Sequence, residues 1–286
     1  MPSVTPSRID LGAYCARIGY TGSLQPNLET LNGLIWHHVR SIPFENVDVL
    51  LDRRISLDPG AIEAKLVHQR RGGYCFEQNT LLLHVLEALG FSVTPLSARV
   101  RVQRSRDMTP ARTHLFLRVE IGGASHLADV GVGGLSPTAA LRLAVDVEQP
   151  TPHEPRRILQ EGAWADLDLR GPHARLFHQA YFAGAWHDVC EFTLEPMPPI
   201  DREVANWFTS THPESHFRDR LMVARATASG RITLLNRELT VRPLNGESQS
   251  RPLASRAELL HVLADQFGIE LPKETRFGLA ELAALP

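Results

Sequence analysis

The chain has 286 residues, 43% hydrophobic and 22% charged, with a formal net charge of −2. That length suffices for two or three compact units, while the near-neutral charge offers no strongly basic surface for nucleic-acid phosphates or an anionic membrane. Cys15, Cys75 and Cys190 lie too far apart for a disulfide framework, no stretch approaches the roughly 20 apolar residues of a membrane span, and Met1 to Ser7 lacks a basic-then-apolar signal pattern, so a reducing cytoplasm is the expected compartment.

Asp10 is placed to cap a short helix through Leu11, Tyr14, Cys15 and Ile18, which Gly19 ends. Cys15 lies on its apolar stripe and reads as core. Asn27 caps a longer helix with Leu28, Leu31, Leu34, Ile35, His38 and Val39 on one face, stopped at Pro43. Asp58 before Pro59 marks another helix start, since a proline at the first helical position forgoes an N–H that has no partner there. Between these helices, Ser41 to Val47 reads as an ordered loop.

Two glycines and an aromatic in Arg71-Gly72-Gly73-Tyr74-Cys75-Phe76-Glu77-Gln78-Asn79 lead into a cysteine, and Leu82, Leu83, Val85, Leu86 and Leu89 recur behind it at helical spacing up to Gly90. Cys75 therefore falls in the first turn of a helix, where unpaired N–H groups and the helix dipole attract negative charge. A lone cysteine is more often a small packed residue than a nucleophile. A glycine turn and a helix start shift that balance, and partners decide it.

Beyond Gly90, Phe91, Val93, Leu96, Ala98 and Val100 approach a strand alternation that Pro95 interrupts, and Arg101 to Arg112 reads as an exposed polar loop. The runs from Thr113 to Ile121 and from Ala124 to Asp129 flank Gly122-Gly123, a strong two-residue hairpin signal. Strands are also expected at Ile158-Leu159 and Phe177 to Phe182, so the middle of the chain reads as an antiparallel sheet or small barrel. After Pro196 to Pro199 come a helical or looped stretch at Val204 to Phe208 and a hairpin near Arg231 to Val241. A helix follows, capped by Ser255 with Glu258 and closed at Gly268.

The hairpin selects a partner for Cys75. With Gly122-Gly123 as the turn, Ile121 faces Ala124, Phe116 faces Asp129, and His126 pairs with Val119 on the other face. His114 then shares a face with Asp129 as a diagonal neighbour, roughly 7–8 Å away between α-carbons. This singles out His114 among thirteen histidines. Cys75 as nucleophile, His114 as proton carrier and Asp129 as orienter form a triad for acyl chemistry. Taken singly, His114 is a solvent-facing strand residue and Asp129 an ordinary strand-end acid. Together with Cys75 they favour the triad. The paired His212 and His216 have helical metal-ligand spacing, but Pro213 and the absence of a third ligand argue against a metal. Cys190 reads as a buried strand residue.

These motifs resemble the arylamine N-acetyltransferase family: the Arg71–Asn79 stretch, Ile42-Pro43-Phe44-Glu45-Asn46, Thr113-His114, Asp129-Val130-Gly131-Val132-Gly133, and Asn206 to Phe217. The resemblance covers most of the chain, from about Tyr14 onward. It implies an α+β fold: an N-terminal helical bundle (1–90) carrying the nucleophile, a central antiparallel β-barrel (91–200) carrying His114 and Asp129, and a C-terminal α/β lid (201–286), with a cysteine-protease-like core. It implies ping-pong acetyl transfer from acetyl-CoA, as co-substrate, through Cys75 to an aromatic amine or hydrazine. It places Thr113, Gly131, Val132, Gly133 and Phe208 beside CoA, with Phe44, Val100 and Val132 lining the acceptor pocket. The family often carries phenylalanine where Val132 stands, which implies a wider pocket. No metal is expected, and neither nucleic acid nor membrane as partner; the expected state is a monomer or homodimer. The same three side chains also suit a thiol hydrolase or an amide synthase releasing a carrier-bound acyl chain.

Overall fold

The computed structural model describes residues 9–161 and 175–285, so the reading of Met1 to Ser7 lies outside the described residues. Helix α1 (Leu11–Ile18) starts where the Asp10 carboxylate accepts the Ala13 N–H at 2.9 Å and ends at left-handed Gly19. Helix α2 (Leu28–Ser41) starts where Asn27 accepts the Thr30 N–H at 2.9 Å. The expected loop at 41–47 contains a short strand, β1 (Phe44–Glu45), followed by α3 (Val47–Leu50). Helix α4 (Pro59–Glu63), capped by Asp58, passes directly into a π-helical turn at Ala64–His68. Helix α5 (Cys75–Ala88) follows the glycine turn.

These helices close over one apolar core that includes Tyr14, Leu31, Leu34, Ile35, Leu82 and Val85. A buried hydrogen-bond chain crosses it. The Tyr14 hydroxyl donates to His38 Nδ1 at 2.9 Å, and His38 Nε2 donates to Gln78 Oε1 at 2.6 Å. Gln78 in turn donates to the Pro43 carbonyl at 2.8 Å. Burial pushes His38 down to about 4, so the ring stays neutral and can both accept and donate. The chain fixes the start of α5 relative to α1 and α2.

Seven antiparallel strands form the second body: β2 (Ser92–Val100), β3 (His114–Ile121), β4 (Ala124–Ala128), β5 (Leu141–Arg142), β6 (Arg156–Glu161), β7 (Arg175–Phe182) and β8 (Ala185–Pro196). Their order is β5-β4-β3-β2-β8-β7-β6, and the chain after β5 bridges β6 at Val145–Ile158 and Gln149–Arg156, nearly closing a barrel. Gly122 and Gly123 have φ of 56° and 77°, the double left-handed turn that matches strand twist. The register is the one the turn dictates, with Ile121 facing Ala124 and Val119 facing His126. Pro95 is tolerated within β2 beside a shift in the β2–β8 register between Leu96 and Ala98. Arg101 corrects the expectation of a wholly exposed loop. It is 1% exposed, pairs with Glu191, and donates to the Ser105 and Met108 carbonyls at 2.8 and 2.6 Å. That buried guanidinium, together with Arg106 paired to Asp188 and Glu161, pins the arginine-rich segment to the barrel.

The remaining elements are α6 (Pro199–Thr211), α7 (His216–Asp219), β9 (Met222–Thr227), β10 (Gly230–Leu235), β11 (Glu238–Pro243), β12 (Gln249–Pro252), α8 (Arg256–Phe267) and α9 (Ala280–Ala283). Ser255 accepts the Glu258 N–H at 3.1 Å, and left-handed Gly268 ends α8. Leu259, Leu263 and Phe267 of α8 pack on Leu221, Val223 and Leu234. The five-stranded sheet has the order β1-β9-β10-β11-β12, so a strand from the helical part of the chain supplies its edge, pairing Phe44 with Ala224 and Glu45 with Val223. Asn46 secures this junction. Its Nδ2 donates to the Phe217 and Arg220 carbonyls at 2.7 and 2.8 Å, and its Oδ1 accepts the Met222 N–H at 2.8 Å. No helix among the described residues is long and apolar enough to cross a membrane.

Truncating Asn46 leaves two carbonyls and one amide without their side-chain partner. Asn46→Ala is expected to lower unfolding free energy by about 2–4 kcal/mol, read as a lower urea midpoint at unchanged m-value.

Candidate active site

Cys75 is the first residue of α5, and His114 opens β3. Asp129 directly follows β4. All three are buried. His114 Nε2 donates to Asp129 Oδ2 at 2.7 Å, and Cys75 lies close enough to help raise the imidazole. Cys75 Sγ also lies 3.4 Å from the Thr113 carbonyl. The diagonal pairing read from the hairpin is therefore present, and the helix start is carried to it.

Asn79 makes the connection, and sequence reasoning assigned it no role. It stands one turn beyond Cys75, donates from Nδ2 to Asp129 Oδ1 at 2.9 Å and to the Leu115 carbonyl at 2.6 Å, and accepts the Val130 N–H at 3.0 Å. Asp129 Oδ1 also accepts the Gly131 N–H at 2.8 Å. The signal available in the sequence was the i, i+4 spacing from Cys75, which puts both on one helix face. Glycine at 131 is required by contact: a Cβ there would sit 2.7 Å from Cys75 Cα and from Asn79 Nδ2. The Gly131 N–H is thereby committed to the Asp129 carboxylate.

A charged network braces the turn before Cys75. Glu77 accepts the Tyr74 N–H at 3.1 Å and pairs with Lys65 at 2.6 Å, while Lys65 also meets Asp48 at 2.8 Å. Arg71 pairs with buried Glu45 at 2.7 Å. Burial alone would lower Lys65, but Glu77, Glu45 and Asp48 outweigh it and raise it. Gly72 has no room for a side chain, since a Cβ would fall 2.1 Å from the Pro43 carbonyl oxygen. The Tyr74 hydroxyl donates to Asn206 on α6, joining the same turn to the third part of the chain.

The remaining expected residues fall in two groups. Phe44 packs in the cluster that contains Cys75, and Val100 and Val132 lie against the barrel core. Gly133, with φ of 73°, brings its loop against the Phe44 ring. Thr113 and Phe208 line a cavity of about 360 Å³ together with Arg112, Pro196 and Met197. Among the described residues no group of three or more His, Cys, Asp or Glu side chains is placed to hold a metal. All three cysteines are free, and burial pushes Cys190 well up, so it stays a thiol.

Burial works against a charged His114, but the Asp129 carboxylate, with Cys75 behind it, prevails and lifts the imidazole to about 10. Asp129 is also disfavoured by burial as an anion, yet His114, Asn79 and the Gly131 amide hold it below its ordinary value. The raised His114 value contributes stability that is fully present below 6.5 and lost as pH climbs through about 10.

A cysteine at a helix start facing a histidine–carboxylate pair on a barrel wall defines the class of proteins with a cysteine-protease-like core. The sequence matches the N-acetyltransferase family over residues 27–276. An arylamine N-acetyltransferase of Mycolicibacterium smegmatis is 43% identical over 267 residues, spanning 92% of this chain and 93% of that protein. That of Escherichia coli K12 is 40% identical over 260 residues, spanning 91% and 88%. Among solved structures, M. smegmatis arylamine N-acetyl transferase superposes with a TM-score of 0.85 at 41% identity, covering 96% of this chain and 97% of that one. Mycobacterium marinum arylamine N-acetyltransferase in complex with CoA gives 0.85 at 36% identity, covering 96% and 97%. The chain belongs to the arylamine N-acetyltransferase family, a family of transferases.

Two outcomes follow from this geometry. Gly131→Ala forces the loop away from Cys75 and Asn79, and its kcat/KM in an N-acetylation assay should fall at least about tenfold. In Asp129→Asn the main counter-charge is gone and only Cys75 still opposes burial, so the His114 ring should titrate well below about 10, as read by nitrogen-detected histidine NMR.

Proposed function

We propose that the protein moves an acetyl group from acetyl-CoA to an aromatic amine or hydrazine by way of a Cys75 thioester. The observation that carries this reading is the buried convergence of Cys75, at the start of α5, with the hydrogen-bonded His114–Asp129 pair. In the first half-reaction the Cys75 thiolate attacks the thioester carbonyl, and the CoA thiol leaves with a proton delivered by the His114 imidazolium. First-turn N–H groups of α5, which have no intrahelical acceptor, face the negative charge that builds on the carbonyl oxygen. In the second, the amine attacks acetyl-Cys75, His114 takes the amine proton, and the Cys75 thiolate departs. Asp129 holds the ring in the required tautomer and balances its charge in both halves.

The cavity lined by Thr113 and Phe208 is the place for the acyl donor, and Phe44, beside Cys75, with Val100 and Val132, on the barrel core, are the apolar side chains for the acceptor ring. With Val132 in place of a larger aromatic, that lining recedes and admits bulkier acceptors. Residues 1–90 supply the nucleophile, 91–200 the histidine and carboxylate, and 201–286 the cover that excludes water from the thioester. Three free cysteines fit a cytoplasmic location, and the net charge of −2 fits a protein that does not engage nucleic acid, working as a monomer or homodimer.

Intact-mass analysis after incubation with acetyl-CoA tests the reading. One acetyl group should appear on Cys75, disappear on adding an aromatic amine, and be absent in Cys75→Ser. Turnover of acetyl-CoA at an equal rate without any amine would assign the site to hydrolysis instead. His114→Ala should slow alkylation of Cys75 by iodoacetamide at neutral pH by at least about a hundredfold.

A further inference from the structure

The barrel interior holds a polar cluster that the acetyl-transfer scheme leaves unused. Arg156 on β6 is fully buried and donates from Nη1 to the Leu135 carbonyl at 2.9 Å and to His178 Nε2 on β7 at 3.2 Å. Its Nη2 meets Glu154 at 3.2 Å. A guanidinium can only donate, so His178 Nε2 accepts and the ring proton sits on Nδ1. His178 is 5% exposed, and its Nδ1 has no protein partner among the described residues. Burial, with Arg156 beside it, pushes His178 down to about 3, which keeps the ring in this single neutral tautomer.

His178 lines a cavity of about 10 Å³ together with Asp129, Cys190 and the apolar side chains of Phe116, Leu127 and Phe192. One water needs about 10–15 Å³ by this measure, along with polar partners on the walls. Asp129 supplies the second partner. Its Oδ1 already accepts from Asn79 and Gly131, whereas among the described residues Oδ2 accepts only from His114 and keeps a lone pair. A buried donor and a buried acceptor on the walls of one water-sized chamber are both satisfied by a single bridge. We propose that one buried water in this cavity joins His178 Nδ1 to Asp129 Oδ2, which makes His178 a positioning residue for the carboxylate that orients His114.

The inference rests on the triad roles proposed above. Titratable groups facing Asp129 and His178 are His114 from β3, Cys75 from α5, Cys190 from β8 and Arg156 from β6. Cys190 is pushed well up and Arg156 lies at about 10, so neither changes form on the acid side of neutrality. A donor to the ionised carboxylate favours that form. Losing the bridge therefore raises Asp129, and the charge that supports the His114–Cys75 pair is lost at a higher pH.

Iodoacetamide alkylation of Cys75 against pH, followed by peptide mass mapping so that Cys15 and Cys190 adducts are separated, reads this directly. In His178→Leu the acid limb should move up by about 0.5–1 pH unit. In His178→Gln, whose amide can accept from Arg156 and donate to the water, the limb should coincide with wild type. A His178→Leu profile superimposed on wild type, or equal displacement in both variants, overturns the proposal. Should His178→Leu fail to fold, a high-resolution crystal structure of the wild-type protein decides: ordered solvent within hydrogen-bond distance of both side chains supports the bridge, and its absence overturns it. Acetyl-CoA labelling of wild type runs in parallel. If Cys75 takes no acetyl group, the transfer reading fails while the alkylation profile still decides the water.

Discussion

The structure depends on the hydrogen bonds of one amide side chain. Asn79 sits one helical turn from Cys75 and grips Asp129, the Leu115 carbonyl and the Val130 amide. It joins the helix that carries the sulfur to the two strands that carry the imidazole and the carboxylate. Because Cys75, Asn79 and the Gly131 backbone are in contact, the loop after β4 has no freedom to slide along α5. The electrostatics follow from that fixed separation. His114 remains charged in a buried position only because the Asp129 anion is held against it, and Asp129 remains ionised because three donors reach it. Moving either group away would push the other toward its neutral form.

Around this centre, the chain places its charges where they brace the approach to Cys75. Lys65, placed by the π-helical turn, meets both Glu77 and Asp48, and Arg71 meets Glu45. Buried ion pairs of this kind add little net stability, since desolvation offsets most of their attraction. Their effect is positional: removing one member strands another charge without water, so the glycine turn has one low-energy arrangement. The same turn is tied through Tyr74 to Asn206, and Asn46 ties β1 to β9, so the third part of the chain meets the site through specific polar contacts rather than apolar packing alone.

Much of this was legible from residue order, for a physical reason in each case. Gly122-Gly123 admits essentially one tight turn, the turn sets the register, and the register puts His114 on the face of Asp129. Asp10, Asn27, Asp58 and Ser255 announce helix starts because their side chains meet amides three residues on. What could not be read depends on contacts distant in sequence. Two residues at 44–45 become a strand only because β9, nearly 180 residues later, offers an edge. Arg101 looks like its exposed neighbours until Glu191 lies opposite. Asn79 belongs visibly to the motif, but its partners are 36 to 51 residues away and its role follows only once α5 lies against the end of β4.

The central claim is that Asn79 and Asp129 act as one unit in organising the site, and a double-mutant cycle on kcat/KM for N-acetylation tests it most directly. Asn79→Ala, Asp129→Asn and the double variant would be compared with wild type. Strong non-additivity is predicted, with the double variant little worse than Asp129→Asn alone and a coupling of about 1–3 kcal/mol. Additive losses, each substitution carrying its full effect in the presence of the other, would contradict the account.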